Sequence, residues 1–449
     1  MKNKIKDYIT IGSMLFGLFF GAGNLIFPVN LGQNAGANML QTMIGFLITA
    51  VGLPLLGTMA MGISENSSLF EMTTGINKKF GYFFTIGLYL TIGPFFALPR
   101  LGTVSFEVGL KSFIGEDKIK LFLLIFTFIF YILAFLLSLK PSKIMVWVGK
   151  VLNPMFLLLL SSLIIISFIN PMGNISNAEI QSKFITGAFR EGFIGGYNTM
   201  DVLASLAFSI IVINSIKELG VKEPKEIAKY TLKSGIVTMI LMSIIYGSLV
   251  YMGASSLGKL NLSENGGIAL NQISKYYFGF FGEILLAIIV IVACLKTAVG
   301  LITACSEMFH KMYPKISYFK FICLVTLISF VVSNVGLNSI IKLSLPVLNF
   351  LYPIAIVLIA LIFLSPLFRN NKKVYIITII FTAFASLFDA LNTVAKSIGD
   401  NYIFEKVLKI ASNILPFFED GFGWIVPSML GLTIGMVYFK TNREKINKK

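Results

Sequence analysis

Two basic residues of this sequence stand inside long apolar stretches. Lys296 lies in IVACLKTAVGLITACSE (291–307), and Arg100 lies in TIGPFFALPRLGTVSFEVG (91–109). A charge at the centre of a bilayer costs about 2.5–3.5 kcal/mol on insertion scales, so such residues usually face the protein interior and have a partner. Each is therefore a candidate for an internal ion pair or for binding a ligand.

A third candidate is the backbone of GLFFGAGNLIFPVNLGQNAG (17–36), where Gly17, Gly21, Gly23 and Asn24 cluster. Glycine costs up to about 1 kcal/mol relative to alanine in a helix, so the cluster favours a break. Freed N–H groups there can hold a carboxylate, and freed carbonyls can hold a cation. The alternative is close helix packing through Gly17 and Gly21, four residues apart. Asn24 favours the break, because its amide needs a partner.

Several kinds of chemistry have no motif in this sequence. His310 is the single histidine, and Cys294, Cys305 and Cys323 have no C-x-x-C spacing, so a multi-histidine metal site and a redox pair are not expected. The sequence contains no phosphate-binding loop, no H-E-x-x-H and no G-x-S-x-G. We expect a protein that is not an enzyme, needs no cofactor and has no ATPase of its own.

The elements that must position these residues are membrane helices. The chain has 449 residues, of which 56% are hydrophobic and 13% charged, and its mean hydropathy is +0.84; soluble domains contain about 25% charged residues. Apolar runs of roughly 20 residues must cross lipid as helices. The sequence therefore predicts an all-α polytopic membrane protein. It would form one transmembrane domain of about twelve spans, at 8–34, 39–62, 81–109, 120–139, 144–169, 193–216, 230–253, 279–306, 318–336, 340–367, 374–393 and 411–439.

The orientation follows from the basic residues. The N-terminus, MKNKIKDYITIGSMLFGLFF, imitates a signal peptide but has no cleavage site, so we interpret it as a retained first span. An even number of spans puts both termini on one side, and most of the 37 Lys and Arg residues then fall in loops on that side, which predicts cytoplasmic termini. Despite the net charge of +16, no basic stretch is interleaved with aromatic residues in a water-exposed domain, so nucleic acid is not expected as a partner.

Span 6, in GGYNTMDVLASLAFSIIVINSIKELG (195–220), has no glycine cluster in its middle, and residues 207–210 are its predicted break. Arg100 has two possible partners: Glu107, seven residues further on the same face, and Asp201 at the end of span 6. The interpretations left open are an ion pair that holds span 3 in place and a direct role in substrate binding or gating.

At the stretches 17–36, 91–109, 195–220 and 293–307, and at the terminal GFGWIVPSMLGLTIG (421–435), the chain resembles the bacterial branched-chain amino acid:cation symporters over its full length. That family is similar to the amino acid–polyamine–cation superfamily, which implies a LeuT-like fold. The resemblance implies an inverted repeat of five spans plus five (8–169 and 193–367), two extra C-terminal helices (374–439), discontinuous helices 1 and 6, and location in the bacterial cell membrane.

The resemblance also implies a substrate site for leucine, isoleucine or valine. The carboxylate would bind the N–H groups of Ala22 and Gly23, beside Asn24. The ammonium would meet carbonyls near Phe19 and around Phe208, Ser209 and Ile210. The apolar side chain would lie among Phe95, Phe96 and Phe208.

The cation site implied by the resemblance uses carbonyls of Gly17, Phe20 and Ala293, the Thr297 hydroxyl and a second hydroxyl. Family members commonly read ACLTT where this chain reads ACLKT, so Lys296 occupies the second hydroxyl position. Three interpretations follow. Lys296 is a built-in cation held by span-1 carbonyls and Thr297; or desolvation favours its neutral form enough for it to carry the coupling proton; or it pairs with an acid such as Glu307 or Asp389 away from the site.

The predicted function is secondary active import of branched-chain amino acids by alternating access, either sodium-independent or proton-coupled, with membrane lipid as surroundings and without an ATPase subunit. The alternatives are a sodium-coupled symporter, with sodium at the same cation-site residues, a non-transporting amino acid sensor of the same fold, and a channel.

Overall fold

The computed structural model describes residues 4–64, 66, 68–140, 145–398 and 402–447. Regular structure in these ranges is helical, and nine helical stretches among them are long and apolar enough to cross a membrane. One of these, Gly23–Ile63, has 41 residues and would be about 60 Å long as one helix, twice the hydrocarbon thickness. It is interrupted at Gly36 (φ 50°), and therefore contains the second half of one span and all of the next.

With two shorter apolar helices and the N-terminal helix, the described chain contains twelve spans. In order they are span 1 (Lys4–Phe19 and Ala22–Ala35), span 2 (39–63), span 3 (Lys78–Gly109), span 4 (Ile119–Ser138), span 5 (145–169), span 6 (Ser182–Glu218), span 7 (Pro224–Ser256), span 8 (Phe280–Met312), span 9 (Tyr318–Ser333), span 10 (Leu337–Leu364), span 11 (Lys372–Ile398) and span 12 (Ile425–Asn447). Shorter helices at Leu69–Ile76, Gly266–Phe278 and Tyr402–Ile414 lie between spans. The predicted all-α architecture is confirmed.

Burial separates the inner spans from the outer ones. In the most apolar window of Ser182–Glu218, 94% of the residues are buried inside the protein, and in that of Phe280–Met312, 72% are. In Glu116–Ser138 and Lys150–Ile169 the share is 28%. Spans 6 and 8 therefore form the centre of the bundle, whereas spans 4 and 5 present most of their apolar surface outward.

Span 1 is broken where the glycine cluster predicts. Its first half, span 1a, ends at Phe19, and its second half, span 1b, begins at Ala22. Between them Gly21 is extended (φ −107°, ψ −157°), and its N–H donates to Oδ1 of Asn24 over 3.0 Å. A Cβ at Gly21 would lie 3.0 Å from Leu101 and 3.2 Å from Thr297. The small residue thus serves both the break and the close approach of spans 3 and 8.

Span 6 is also broken, but not where the sequence analysis places the break. Its first half, span 6a, is Ser182–Gly195; a 3-10 turn follows at Gly196–Thr199; and Met200 adopts the left-handed conformation (φ 62°) before span 6b, Asp201–Glu218. The predicted break at 207–210 is wrong, because an uninterrupted helix runs through it. The span begins eleven residues before the predicted start at 193. Gly195 and Gly196, which the prediction places at the start of the span, therefore lie in its middle.

Candidate functional site

A central cavity of about 30 Å³ lies between the two broken spans. Its polar lining comes from spans 1b, 3, 6 and 8 and consists of Asn24, Arg100, Thr199, Asp201 and Thr297. Its apolar lining includes Leu18, Phe19, Ile92, Ala97, Leu101 and Phe208. Charged groups at the helix breaks and an aliphatic and aromatic wall match the chemical character of a small molecule that carries charge at one end.

The start of span 1b supplies hydrogen-bond donors to this cavity. The first N–H groups of a helix have no acceptor within it, and the helix dipole makes this end positive. The side-chain oxygen of Asn24 accepts a hydrogen bond from the N–H of Gly21. The next N–H groups, those of Ala22 and Gly23, open the helix, and Gly23 lines the cavity. This geometry suits a carboxylate.

Arg100 brings a full positive charge to the same place. It is 4% exposed, and its guanidinium carbon lies 5.3 Å from the centroid of the Phe27 ring. A Cβ at Gly23 would lie 3.0 Å from Nη2 of Arg100, so the guanidinium lies over the first turn of span 1b. Nε has no hydrogen-bond partner, and within the described part of the chain no carboxylate lies within 4 Å of the guanidinium.

Within the described residues, the structure shows no direct ion pair between Arg100 and either predicted partner. Glu107 is half-buried and lines a different cavity together with Lys111; seven residues of helix put it about 10 Å along the span from Arg100. Asp201 lines the central cavity, but its hydrogen bonds go elsewhere. Asp201 acts on the guanidinium electrostatically across the shared cavity, but a buried charge without a hydrogen-bonded counter-ion is costly.

Asp201 joins the two breaks instead. Its carboxylate accepts hydrogen bonds from Nδ2 of Asn24 (3.0 and 2.8 Å) and from the Tyr246 hydroxyl (2.7 Å). Asn24 Nδ2 also contacts the Tyr246 hydroxyl, and all three residues are at most 3% exposed. This triad fixes the first turn of span 6b against the first turn of span 1b. Sequence analysis identified Asn24 and Asp201 but missed Tyr246, whose hydroxyl in the apolar span 7 was the available signal.

The structure brings only some of the predicted substrate residues together. Phe19 and Phe208 line the cavity. Ser209 and Ile210 are buried in span 6b without lining it, and the Ser209 hydroxyl donates to the Leu206 carbonyl over 2.6 Å. Their carbonyls lie within a continuous helix, so the predicted ammonium contact at 208–210 loses its basis.

Phe95 and Phe96 do not line the cavity, which corrects the prediction for span 3. Phe95 is 42% exposed and Phe96 is half-buried. The span contains a π-helical turn at Thr91–Phe95, in which Gly93 departs from helical geometry (φ −92°, ψ −124°). This irregular turn changes which residues face inward, so Ile92, Ala97 and Leu101 take the expected place of the two phenylalanines.

Two of the predicted cation-site residues meet directly. The Thr297 hydroxyl donates to the Gly17 carbonyl over 3.3 Å, joining span 8 to the end of span 1a. Ala293 lies one turn earlier in span 8 and is fully buried. The Phe20 ring packs away from this contact, against Phe16 (centroids 5.1 Å apart). A Cβ at Gly17 would lie 2.9 Å from Val148, so Gly17 also serves close packing.

Lys296 is fully buried in an aromatic cage. Its Nζ lies 4.0 Å from the centroid of Phe156, 4.9 Å from that of Phe16 and 5.5 Å from that of Phe20. Nζ donates to Oδ1 of Asn153 over 3.3 Å. Each desolvated cation–π contact contributes about 2 kcal/mol of stabilisation. We refer to Phe16, Phe20, Phe156 and Asn153 as the Lys296 cage.

These contacts correct two expectations for Lys296. Its acceptor is the Asn153 side chain of span 5 rather than a carbonyl of span 1, because adjacent residues of a helix point about 100° apart and Thr297 takes the direction toward Gly17. The suggested pairing with Glu307 or Asp389 is wrong. Among the residues with described positions, no carboxylate lies within 4 Å of Nζ.

Asn153 was missed by sequence analysis, although an amide in the apolar span 5 could have indicated it. It is fully buried, and its Nδ2 donates to the Ser13 carbonyl (3.1 Å) and the Ser13 hydroxyl (2.8 Å). The amide therefore presents its oxygen to Lys296 while its nitrogen binds span 1a. In this way Asn153 connects span 1a, span 5 and span 8.

Metal binding by a cluster of protein side chains has no support here. Over the ranges that the structure describes, no three His, Cys, Asp or Glu residues are grouped as metal ligands.

Comparison with known proteins identifies the family. The family model for the branched-chain amino acid transport protein matches residues 4–442. The chain is 44% identical over 431 residues to the branched-chain amino acid permease BrnQ of Lactobacillus delbrueckii subsp. lactis, covering 95% of this chain and 96% of the relative. It is 45% identical over 430 residues to BrnQ of Bacillus subtilis, covering 96% of each.

Solved structures share its fold. The nucleobase-cation-symport-1 family transporter Mhp1, in a closed conformation with bromovinylhydantoin bound, aligns with a TM-score of 0.59 at 12% identity, over 97% of this chain and 93% of that one. MhsT in complex with L-phenylalanine aligns with a TM-score of 0.58 at 16% identity, over 96% and 98%. The predicted LeuT-like fold with discontinuous helices 1 and 6 is thereby confirmed. The chain is a multi-pass membrane transporter rather than an enzyme, and it belongs to the branched-chain amino acid transport protein family.

Proposed function

We propose that this protein imports leucine, isoleucine and valine by alternating access through the central cavity. The observation that carries the proposal is the cavity itself, in which Arg100 and the start of span 1b face an apolar wall. The names of the BrnQ relatives support the same class of substrate. A zwitterion with a branched aliphatic side chain matches both parts of the cavity.

In the proposed complex, the α-carboxylate binds the N–H groups of Ala22 and Gly23 and the guanidinium of Arg100. The carbonyls at the end of span 1a, including that of Phe19, receive the ammonium, because the C-terminal end of a helix carries its negative pole. The branched side chain packs against Phe208, Ile92 and Leu101. The break of span 6 at 196–200, rather than residues 208–210, provides further polar backbone beside the ammonium.

Coupling is the second part of the proposal: uptake is sodium-independent, with Lys296 as a built-in cation or as the carrier of a proton. The fully buried ammonium stands one residue from Thr297, whose hydroxyl meets Gly17. A positive charge this close in a medium of low dielectric repels a second cation. The Lys296 cage surrounds the ammonium without a carboxylate among the described residues, so no neighbouring carboxylate accepts its proton.

A sodium-coupled symporter is the second candidate. The observation that favours it is the contact between the Gly17 carbonyl and the Thr297 hydroxyl, since both oxygens of the expected cation site are together while Nζ of Lys296 turns toward Asn153.

The arrangement in the membrane completes the proposal. Both termini lie in the cytoplasm of a bacterial cell, and lipid surrounds spans 4 and 5. The chain forms one domain of two inverted repeats, 8–169 and 193–367, with the start of the second moved back to 182 to include span 6a, and 374–439 as the two extra helices.

Reconstituted uptake tests the proposal. Purified protein in proteoliposomes should accumulate labelled isoleucine without sodium, and an imposed pH gradient is the test for proton coupling. Accumulation driven by a sodium gradient but not by a pH gradient would reject the coupling proposal in favour of the symporter. Binding without net uptake would indicate a sensor, and flux without saturable counterflow would indicate a channel.

A further inference from the structure

A second cavity lies beside span 11, where one carboxylate is buried and unpaired. Asp389 is 6% exposed, and neither of its carboxylate oxygens has a hydrogen-bond partner in the described part of the chain. A buried carboxylate without a partner is costly, so such groups bind a cation, accept hydrogen bonds or become neutral. This one lines a cavity of about 320 Å³, which we refer to as the Asp389 cavity.

The other charged groups of the Asp389 cavity are arranged differently. Arg190 of span 6a is bound to Asp420 and, over 3.1 Å, to Glu191. Lys183 and Lys396 are exposed, as is Glu419, so these residues form a solvated rim. Asp389 lies below the rim and shares the floor with Tyr197, which is 4% exposed and whose hydroxyl has Asp389 and the Trp424 indole as polar neighbours.

The C-terminal spans close the floor from behind. A Cβ at Gly423 would lie 3.4 Å from Oδ1 of Asp389, so the GFGW turn runs directly past the carboxylate. Trp424 follows and is 7% exposed. This explains why spans 11 and 12, which contribute nothing to the central cavity lining, carry a specific motif at this position.

The floor of the Asp389 cavity is also the wall of the central cavity. Tyr197 belongs to the 3-10 turn at the break of span 6, and its ring stacks on that of Tyr352 with centroids 4.4 Å apart at 22°. Thr199, Met200 and Asp201, the next residues of the same break, line the central cavity. A ligand on Asp389 would thus be one tyrosine layer away from the substrate site.

We propose that the Asp389 cavity is a second amino acid site, in which the carboxylate of Asp389 and the hydroxyl of Tyr197 bind the α-ammonium of the transported substrate. A primary ammonium donates three hydrogen bonds, which suits two carboxylate oxygens and one hydroxyl. The basic rim, Lys183 and Lys396, faces the substrate carboxylate. This proposal rests on the proposed function, since its ligand is the same zwitterion. The substrate would bind here before it moves past the break of span 6 to the central cavity.

Equilibrium binding of labelled isoleucine to the purified full-length chain tests this proposal. At saturation the wild type should bind two molecules per chain. Asp389→Asn keeps the shape of the side chain and removes its charge, and it should bind one molecule with the affinity of the central site. Arg100→Gln should also retain one molecule, at the Asp389 cavity. The matched control is Glu419→Gln at the rim, which should still bind two.

The outcomes separate this proposal from the proposed function. A wild type that binds one isoleucine, unchanged in Asp389→Asn, overturns the second site and leaves the central site intact. A wild type that binds none overturns the proposed function. Loss of bound radioactive sodium, rather than of isoleucine, in Asp389→Asn shows an inorganic cation in place of the ammonium and overturns the proposal. If Asp389→Asn does not fold, Tyr197→Phe should weaken the second site about tenfold, the effect of losing about 1.4 kcal/mol of hydrogen bonding; unchanged affinity contradicts it.

Discussion

Arg100 and Lys296 are both buried cations without a carboxylate within 4 Å in the described structure, yet their surroundings differ. Lys296 is fully enclosed by three aromatic rings and an amide oxygen. Arg100 contacts one ring at 5.3 Å, keeps an unpaired Nε and lines the central cavity. The protein encloses Lys296 in rings and an amide, whereas Arg100 faces the central cavity and has Asp201 as an electrostatic partner without a direct contact.

The function of a charge inside the membrane therefore depends on which of its interactions the protein leaves unsatisfied. Insertion of either residue costs a similar free energy. A charge whose partners are all protein groups indicates a structural role, and a charge that faces a cavity with unsatisfied donors indicates a ligand site. On this basis we propose that Arg100 binds the substrate carboxylate and that Lys296 is the built-in cation or the proton carrier beside the cation site.

The largest effect is expected from Arg100→Gln. Truncating one partner of a buried charge pair costs about 2–5 kcal/mol, so the affinity for isoleucine should fall about 100-fold at roughly 1.4 kcal/mol per tenfold. The measurement is the concentration dependence of binding at the central site in an Asp389→Asn background. The control is Lys111→Gln, which removes an exposed charge just beyond span 3.

The same comparison can be sharpened with isoleucinamide, which lacks the carboxylate. Wild type and Arg100→Gln should bind it with similar affinity, because the interaction removed by the substitution is already missing. If Arg100→Gln loses as much affinity for isoleucinamide as it loses for isoleucine, Arg100 supports the fold rather than binding the carboxylate.

Lys296→Thr should create a response to sodium. The substitution restores a second hydroxyl beside Thr297, so sodium should stimulate isoleucine uptake about tenfold, the effect of one interaction of about 1.4 kcal/mol. The control is Lys296→Met, which removes the ammonium without adding an oxygen and should stay indifferent to sodium. Equal sodium responses in both variants would separate Lys296 from the cation site.

Phe156→Leu should loosen the Lys296 cage without closing the central cavity. Losing the ring nearest to Nζ, at 4.0 Å, should lower the free energy of unfolding by about 1–2 kcal/mol. Thermal unfolding in detergent measures this, with Phe168→Leu at an exposed aromatic pair as the control. In a Lys296→Met background the loss should shrink, as a double-mutant cycle reveals; an equal loss would mean that the ring only packs.

Gly23→Ala should have the smallest effect. Its Cβ would lie 3.0 Å from Nη2 of Arg100 and 3.0 Å from the Phe27 ring that stacks with it, so both must shift by a few tenths of an ångström. A shift of this size should lower isoleucine affinity about threefold, about 0.6 kcal/mol, in a binding assay. Gly87→Ala in span 3, where the nearest atom would be 3.9 Å away, is the control. An unchanged affinity in Gly23→Ala would mean that isoleucine binding does not depend on the exact position of the Arg100 guanidinium.

Local properties of the chain were predictable. Apolar runs predicted the membrane helices, and the glycine cluster predicted the break of span 1, because hydropathy and backbone freedom belong to neighbouring residues. The break of span 6 was misplaced although it has a local cause too: the paired Gly195 and Gly196 were visible, but the boundary of the span was set too late. Phe95 and Phe96 were misassigned because regular helical periodicity does not survive the irregular turn at Gly93.

The order of residues along the chain is enough to place two cations inside membrane helices and to require partners for both charges. The identity of those partners depends on the packing of the helices. The acceptor of Lys296 lies 143 residues away in Asn153, and the carboxylate of Asp201, expected for Arg100, is bound 177 residues away by Asn24. Such contacts depend on how whole helices pack and rotate against one another, and the pattern of neighbouring residues does not specify this packing.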